Sequence, residues 1–227
     1  MTLESVQKAH RRIAPHLHRT PVLSSALLDG QTGARLFFKA ENLQKVEETS
    51  ATLVHPYDDD HIIAGQGTAA LEFLEQTPGL EILMTPIGGG GLISGTAIVA
   101  KGCRQDLQVI GAEPALADDA FRSWKAGELL PPDSMDTIAD GLRAGLGERN
   151  FGYLHELVDD VLLVSEEAIV RTTKLLMHYL KTVVEPSAAV PMAAILEHPN
   201  KFVGKRVGII LSGGNLDLDA PPWLRSQ

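Results

Sequence analysis

Short runs of β-branched and apolar residues alternate along this chain with longer stretches whose apolar positions recur at helical spacing. The runs at 36–39, 52–55, 81–86, 108–113, 160–164 and 206–211 read as strands, and 62–76, 92–101, 118–126, 165–180 and 187–196 read as helices. Val109-Ile110 and Val207-Gly208-Ile209-Ile210-Leu211 are apolar on consecutive positions, as a strand covered on both faces requires. The alternation predicts an α/β fold, a twisted and mainly parallel sheet with flanking helices.

Punctuation supports several boundaries. Ser165 stands before Glu166 and Glu167 as a capping serine, Gly102 and Gly127 follow helical stretches, and Thr20-Pro21 is expected to stop a first, amphipathic helix within 2–17. The Pro-rich pieces at 130–133 and 220–223 read as a surface loop and a tail. One interval breaks the rhythm: between the strands at 36–39 and 52–55 only a dozen residues remain, too few for a parallel crossover.

With 227 residues and 44% hydrophobic content, the chain suits a single domain with one sizeable core. A net charge of -9 opposes nonspecific attraction to nucleic acid or an anionic membrane. The lone Cys103 excludes an internal disulfide and fits a reducing compartment, with a partly buried, inert thiol expected. No apolar run approaches the roughly 20 residues that span a bilayer, so a soluble, cytoplasmic protein is expected.

The densest chemical signal is Gly88-Gly89-Gly90-Gly91-Leu92, between a strand and a helix. Glycines there leave backbone N–H groups unshielded, with the positive end of a helix dipole behind them, which suits a phosphate. Neither the dinucleotide spacing nor a Gly-Lys-Ser or Gly-Lys-Thr triphosphate loop is present. A second loop, Ser212-Gly213-Gly214-Asn215, follows the last apolar strand. In an open α/β sheet both loops are expected at one edge, holding a phosphorylated heterocycle at two points. Glu113, Asp118 and Asp119 offer hard oxygens suited to magnesium or calcium, although acidic residues at a helix start also answer the dipole. Ser5-Val6-Gln7-Lys8 matches an acyl-enzyme pattern without its companion motifs, and His16 and His18 diverge on a helix.

These motifs occur together with Phe37-Phe38-Lys39-Ala40-Glu41-Asn42-Leu43-Gln44-Lys45, His55-Pro56-Tyr57-Asp58-Asp59, Ile63-Ala64-Gly65-Gln66-Gly67-Thr68 and Glu185-Pro186-Ser187. In this order the set resembles the serine racemase and serine/threonine dehydratase family, pyridoxal-phosphate enzymes of the tryptophan synthase β-like fold (fold type II). The resemblance implies that Gly88, Gly89, Gly90, Gly91 and Leu92 bind the cofactor phosphate. It also implies that Ser212 bonds the pyridine nitrogen and that Glu185 lies near the ring. By the same likeness Glu113, Ala117 and Asp119 form a site for Mg2+ or Ca2+, and the substrate is an amino acid such as serine or threonine.

One departure is large. The family follows its Leu-Gln-Lys segment with a Ser-Phe-Lys whose lysine forms the Schiff base, then a Ser-Ser-Gly-Asn-His loop and a small domain. Here Lys45, which matches the earlier family lysine, passes straight into Val46-Glu47-Glu48-Thr49. The chain therefore reads as one large-domain core, 1–45 joined to 46–227 across a deletion of the small domain. The resemblance implies a pyridoxal-phosphate-dependent serine/threonine dehydratase or serine racemase-like protein, expected to bind the cofactor weakly and noncovalently and to be inactive as written for want of that lysine. The alternative is a non-catalytic remnant or engineered core that binds pyridoxal phosphate or phosphate, a divalent cation or a partner subunit. The apolar surface so uncovered is expected to drive homo-oligomerisation.

Overall fold

The computed structural model describes residues 1–43, 57–219 and 221–224. Among the described residues six strands form one sheet: β1 (Val22–Leu23), β2 (Arg35–Lys39), β3 (Ile82–Pro86), β4 (Gln108–Pro114), β5 (Asp160–Val164) and β6 (Arg206–Ile210). Their order is β1-β2-β6-β3-β4-β5, every pairing being parallel except that of β1 with β2. β3 is buried at every position and β6 from Val207 onward, as their unbroken apolar runs require.

Successive β3 side chains point to opposite faces, so two apolar layers form. Ile82 and Met84 pack with Phe38, Ile110, Val207 and Ile209 against α2 (Ala26–Thr32), α7 (Glu166–Leu180) and α8 (Pro186–Glu197). Leu83 packs with Val109, Val161 and Ile210 against α1 (Leu3–Ile13), α3 (Asp60–Gln76), α4 (Gly91–Cys103) and α6 (Glu148–Leu157). The remaining helix, α5 (Asp119–Ala126), follows β4. Among the described residues no helix is long and apolar enough to cross a membrane.

The closest helix contact is α3 on α4. A Cβ on Gly95 would lie 2.5 Å from the Gly67 nitrogen, and one on Gly67 would lie 2.9 Å from the Gly95 carbonyl oxygen. Only a pair of glycines lets the two backbones meet, which gives the Ala64-Gly65-Gln66-Gly67 motif a packing role.

Several expectations need correction. The first helix ends at Ile13, not at Thr20-Pro21, because Pro15 lies in the next turn and cannot extend a helix; Ala14–His16 form a 3-10 turn. α4 runs through Gly102 to Cys103, and Cys103 is exposed. β1, α2 and α6 were not expected from the pattern: β1 has two residues, while α2 and α6 carry Gly30 and Gly152 inside them. The strand expected at 52–55 and the junction at Lys45 and Val46 lie outside the described residues. The capping serine is as expected, Ser165 Oγ accepting from Ala168 N at 3.2 Å, and Gly127 ends α5 at φ 74°.

Gly95→Ala inserts a methyl group against backbone that cannot retreat. It should lower the unfolding free energy by about 1–3 kcal/mol, read as a lower urea midpoint with unchanged slope. An unchanged midpoint would contradict the close helix contact.

Candidate active site

Beyond β3, Ile87 donates its N–H to the Ala112 carbonyl at 2.9 Å, extending the ladder to the foot of the glycine loop. Gly90 caps α4 at φ 91°, a left-handed conformation that favours glycine. The bond that opens the helix from this cap runs from Ser94 N to Gly90 O at 3.0 Å. The N–H groups of the first turn, from Gly91 on, therefore have no acceptor within the helix and sit at its positive end.

The loop is clamped from behind. Asn150, fully buried on α6, donates through Nδ2 to the Gly89 carbonyl at 2.8 Å and to the Tyr57 carbonyl at 2.9 Å. Gly147 N donates to the same Gly89 oxygen at 3.2 Å. A Cβ at Gly89 would fall on the Tyr57 ring, and one at Gly90 would lie 2.7 Å from the Asn150 Cβ, so both positions are closed to larger residues.

The second loop leaves β6 through Leu211, whose N–H donates to Lys39 O and whose carbonyl accepts from Asn42 N. Glu185, which caps α8, packs against this loop. Its N–H donates to Gly213 O at 3.2 Å, its Oε2 accepts from Asn215 N at 2.8 Å, and a Cβ on Gly213 would collide with its carboxylate. Asn42 Nδ2 donates to Thr182 Oγ1 and Val183 O, tying the end of β2 to the segment that carries Glu185. Burial pushes the Glu185 carboxyl up, with the charge of Asp140 adding to it and the Asn215 N–H opposing.

The structure brings Gly88, Gly89, Gly90, Gly91, Leu92, Glu185 and Ser212 around one cavity of about 300 Å3. Gly90 and Ser212 thus share an edge of the sheet, as expected for strand ends in an open α/β fold. Tyr57, Gln66, Gly141 and Ser187 also line it, and none was singled out from sequence, although Tyr57, Gln66 and Ser187 sit in motifs that were. Ser187 Oγ accepts from Gly141 N at 3.0 Å. Among the described residues no lysine, arginine or histidine lines the cavity. A second hollow of about 340 Å3 shares Gln66, Leu92 and Ser212 with it.

Glu113 and Asp119 lie outside that cavity, at the junction of β4 and α5, exposed by 1% and 2%. Glu113 accepts from Ala120 N at 3.2 Å and Phe121 N at 2.9 Å, and Asp119 Oδ2 accepts from Leu146 N at 2.8 Å. Ala117 N closes a turn onto Pro114 O, and Asp118 pairs with Arg122. Burial, with the Asp119 and Asp118 charges, pushes Glu113 up to about 9. Burial also raises Asp119. Among the described residues no group of three or more His, Cys, Asp or Glu is placed to hold a metal. Lys8 of the Ser5 motif pairs with Glu4 on an exposed helix face.

Residues 44–213 match the family described as pyridoxal-phosphate dependent enzyme. The chain belongs to that family. It is 35% identical to the beta-hydroxyaspartate dehydratase of Paracoccus denitrificans, over 98% of each chain. It is 33% identical to the serine racemase of Dictyostelium discoideum, covering 97% of this chain and 96% of that one. The alignment with the dehydratase runs over 310 residues, more than the 227 of this chain. Among solved structures, a T.th. threonine deaminase superposes with a TM-score of 0.91 at 39% identity, covering 96% of this chain and 99% of that one. The family member's sheet is of fold type II, mixed but mostly parallel with flanking helices.

Because the folded state holds a proton on Glu113 that the unfolded chain releases, metal-free protein should lose stability as pH rises from about 5 to 9. Asp119 and Glu185 act in the same direction. Thermal melts in chelator should show this slope flattened in Glu113→Gln; identical slopes would contradict the burial assigned to Glu113.

Proposed function

We propose that this protein holds pyridoxal phosphate noncovalently in the cavity between the two glycine loops and does not turn over amino acids. The observation that carries the reading is the composition of the cavity wall: both glycine loops and Glu185 are present, and among the described residues no lysine is. The cradle fits the cofactor. The N–H groups of the tetraglycine loop and the first turn of α4 would hold the phosphate, and the Ser212 hydroxyl would meet the ring nitrogen. When bound, the cofactor supplies an electron sink for charge next to an amino group.

Among the described residues that line the cavity none is a lysine, the residue by which the family's members hold and move a proton at the substrate carbon. The length of the dehydratase alignment, set against 227 residues, supports a missing internal segment, the one with the family's Ser-Phe-Lys and Ser-Ser-Gly-Asn-His motifs. General-base help is worth about 10^2 to 10^4-fold, and orientation adds to it. Serine or threonine should therefore yield no pyruvate or 2-oxobutyrate above the rate of free cofactor. Inserting a family-like segment between Lys45 and Val46 should restore formation, and alanine at its lysine should abolish it again. Robust turnover by the unmodified chain would overturn the reading.

Glu113, Asp119 and the Ala117 carbonyl are proposed to take Mg2+ or Ca2+. Two buried carboxylates, with no cationic side chain from the described residues on Glu113, form a donor set of the hard-oxygen kind that such ions prefer. Either ion at millimolar level should raise the melting temperature of the wild type and leave Asp119→Asn unmoved. Equal shifts in both proteins would place the ion elsewhere.

A further inference from the structure

We propose that Asn150, which stands behind the cavity wall rather than in it, keeps the Gly89–Gly90 peptide turned with its N–H toward a bound phosphate. The inference rests on the reading that the glycine loops hold a phosphorylated pyridine, and it names the side chain outside the cavity on which that hold depends. A peptide between two glycines has no Cβ on either side to fix its plane, so it can turn over at small steric cost. In one orientation it offers the phosphate an N–H. In the other it presents a carbonyl oxygen, which a phosphate repels.

The hydrogen bonds of the loop show which orientation is held, and by what. The Gly89 carbonyl accepts from Asn150 Nδ2 at 2.8 Å and from Gly147 N at 3.2 Å. Both donors belong to α6 and its cap, and neither lines the cavity, whereas Gly89 and Gly90 do. The N–H of a trans peptide points opposite to its C=O, and no cis bond occurs among the described residues. The Gly90 N–H is therefore turned away from α6 and toward the cavity. Gly90 is left-handed at φ 91° and leads directly into α4, a turn that aims successive N–H groups at one anion.

The Asn150 amide has no freedom to release this peptide. The side chain is fully buried, with the Gly89 carbonyl at 2.8 Å and the Tyr57 carbonyl at 2.9 Å from Nδ2, so both amide hydrogens are engaged. A Cβ on Gly90 would lie 2.7 Å from the Asn150 Cβ, which places the loop backbone directly on this residue. Gly147 N, at the longer distance, is the weaker of the two holds. Asn150 is thus a positioning residue: it acts on the phosphate through the peptide it orients.

Nuclear magnetic resonance of protein labelled at the glycine nitrogens tests the orientation. In the wild type, inorganic phosphate should shift the amide protons of both Gly90 and Gly91. Asn150→Leu is close in size and removes both donors. At saturating phosphate it should still show the Gly91 shift, since the helix fixes that N–H, and leave Gly90 nearly unmoved. Titration calorimetry should show inorganic phosphate and pyridoxine phosphate, which carries no aldehyde, both bound about tenfold more weakly by Asn150→Leu, the effect of one charge-assisted contact. Circular dichroism and melting are to be checked alongside. Equal affinities in the two proteins, or an undiminished Gly90 shift in Asn150→Leu, would overturn the role of Asn150 and leave the phosphate site standing. If Asn150→Leu does not fold, the wild-type spectrum decides, because a Gly91 shift without a Gly90 shift would overturn the proposal. Absence of any glycine shift, with no binding of either ligand by the wild type, would overturn the phosphate site itself and the proposal with it.

Discussion

The cavity depends on the place where α3 and α4 touch backbone to backbone. Gly67 and Gly95 carry no side chains at the contact, so the two helices close to a distance that any Cβ would forbid. That contact places Gln66 of α3 beside Leu92 at the start of α4, and both line the cavity. It also fixes where the positive end of α4 points, since β3 delivers the chain to Gly88 from the centre of the sheet. A second tight fit lies beneath it: a Cβ on Gly111 would meet the Ile87 side chain, so β4 supports the foot of the same loop.

Around this frame the polar groups divide the labour. Asn150 holds the glycine loop from the α6 side by bonding the Gly89 carbonyl, and Asn42 holds the opposite wall by bonding Val183 O. Between them the cavity has N–H groups at a helix end and one carboxylate, Glu185, without a cationic neighbour among the described lining residues. The acidic pair Glu113 and Asp119 is a separate feature, built on the N–H groups of α5 and shielded from solvent. The chain belongs to the pyridoxal-phosphate dependent family and is similar to serine racemase and to threonine deaminase along nearly its whole length. Activity follows from side chains the cavity wall would have to supply.

Much of this architecture was legible in the chain because its signals are strong ones. Consecutive apolar positions in Val207 to Ile210 mark a strand buried on both faces, and glycine clusters directly after strands mark loops without side chains. Glu185 came into view only through the family likeness, since one acidic residue before a proline carries no signal alone, whereas Ser212 was marked by the two glycines beside it directly after a strand. Asn150 stayed hidden for a physical reason. It is a polar residue on the buried face of α6, where a reading by apolar period counts it as solvent-facing. β1 went unseen because two residues hold no period, and α6 because Gly152 interrupts its pattern.

The central claim is that the glycine loops retain a cofactor cradle whose covalent anchor is gone. A crystal structure of the protein grown with pyridoxal phosphate tests it most directly. The account predicts the phosphate against the N–H groups of Gly88 to Leu92, the ring beside Ser212, and no density joining the ring to a lysine. A phosphate bound elsewhere, or continuous density from the ring to a lysine side chain, would contradict it.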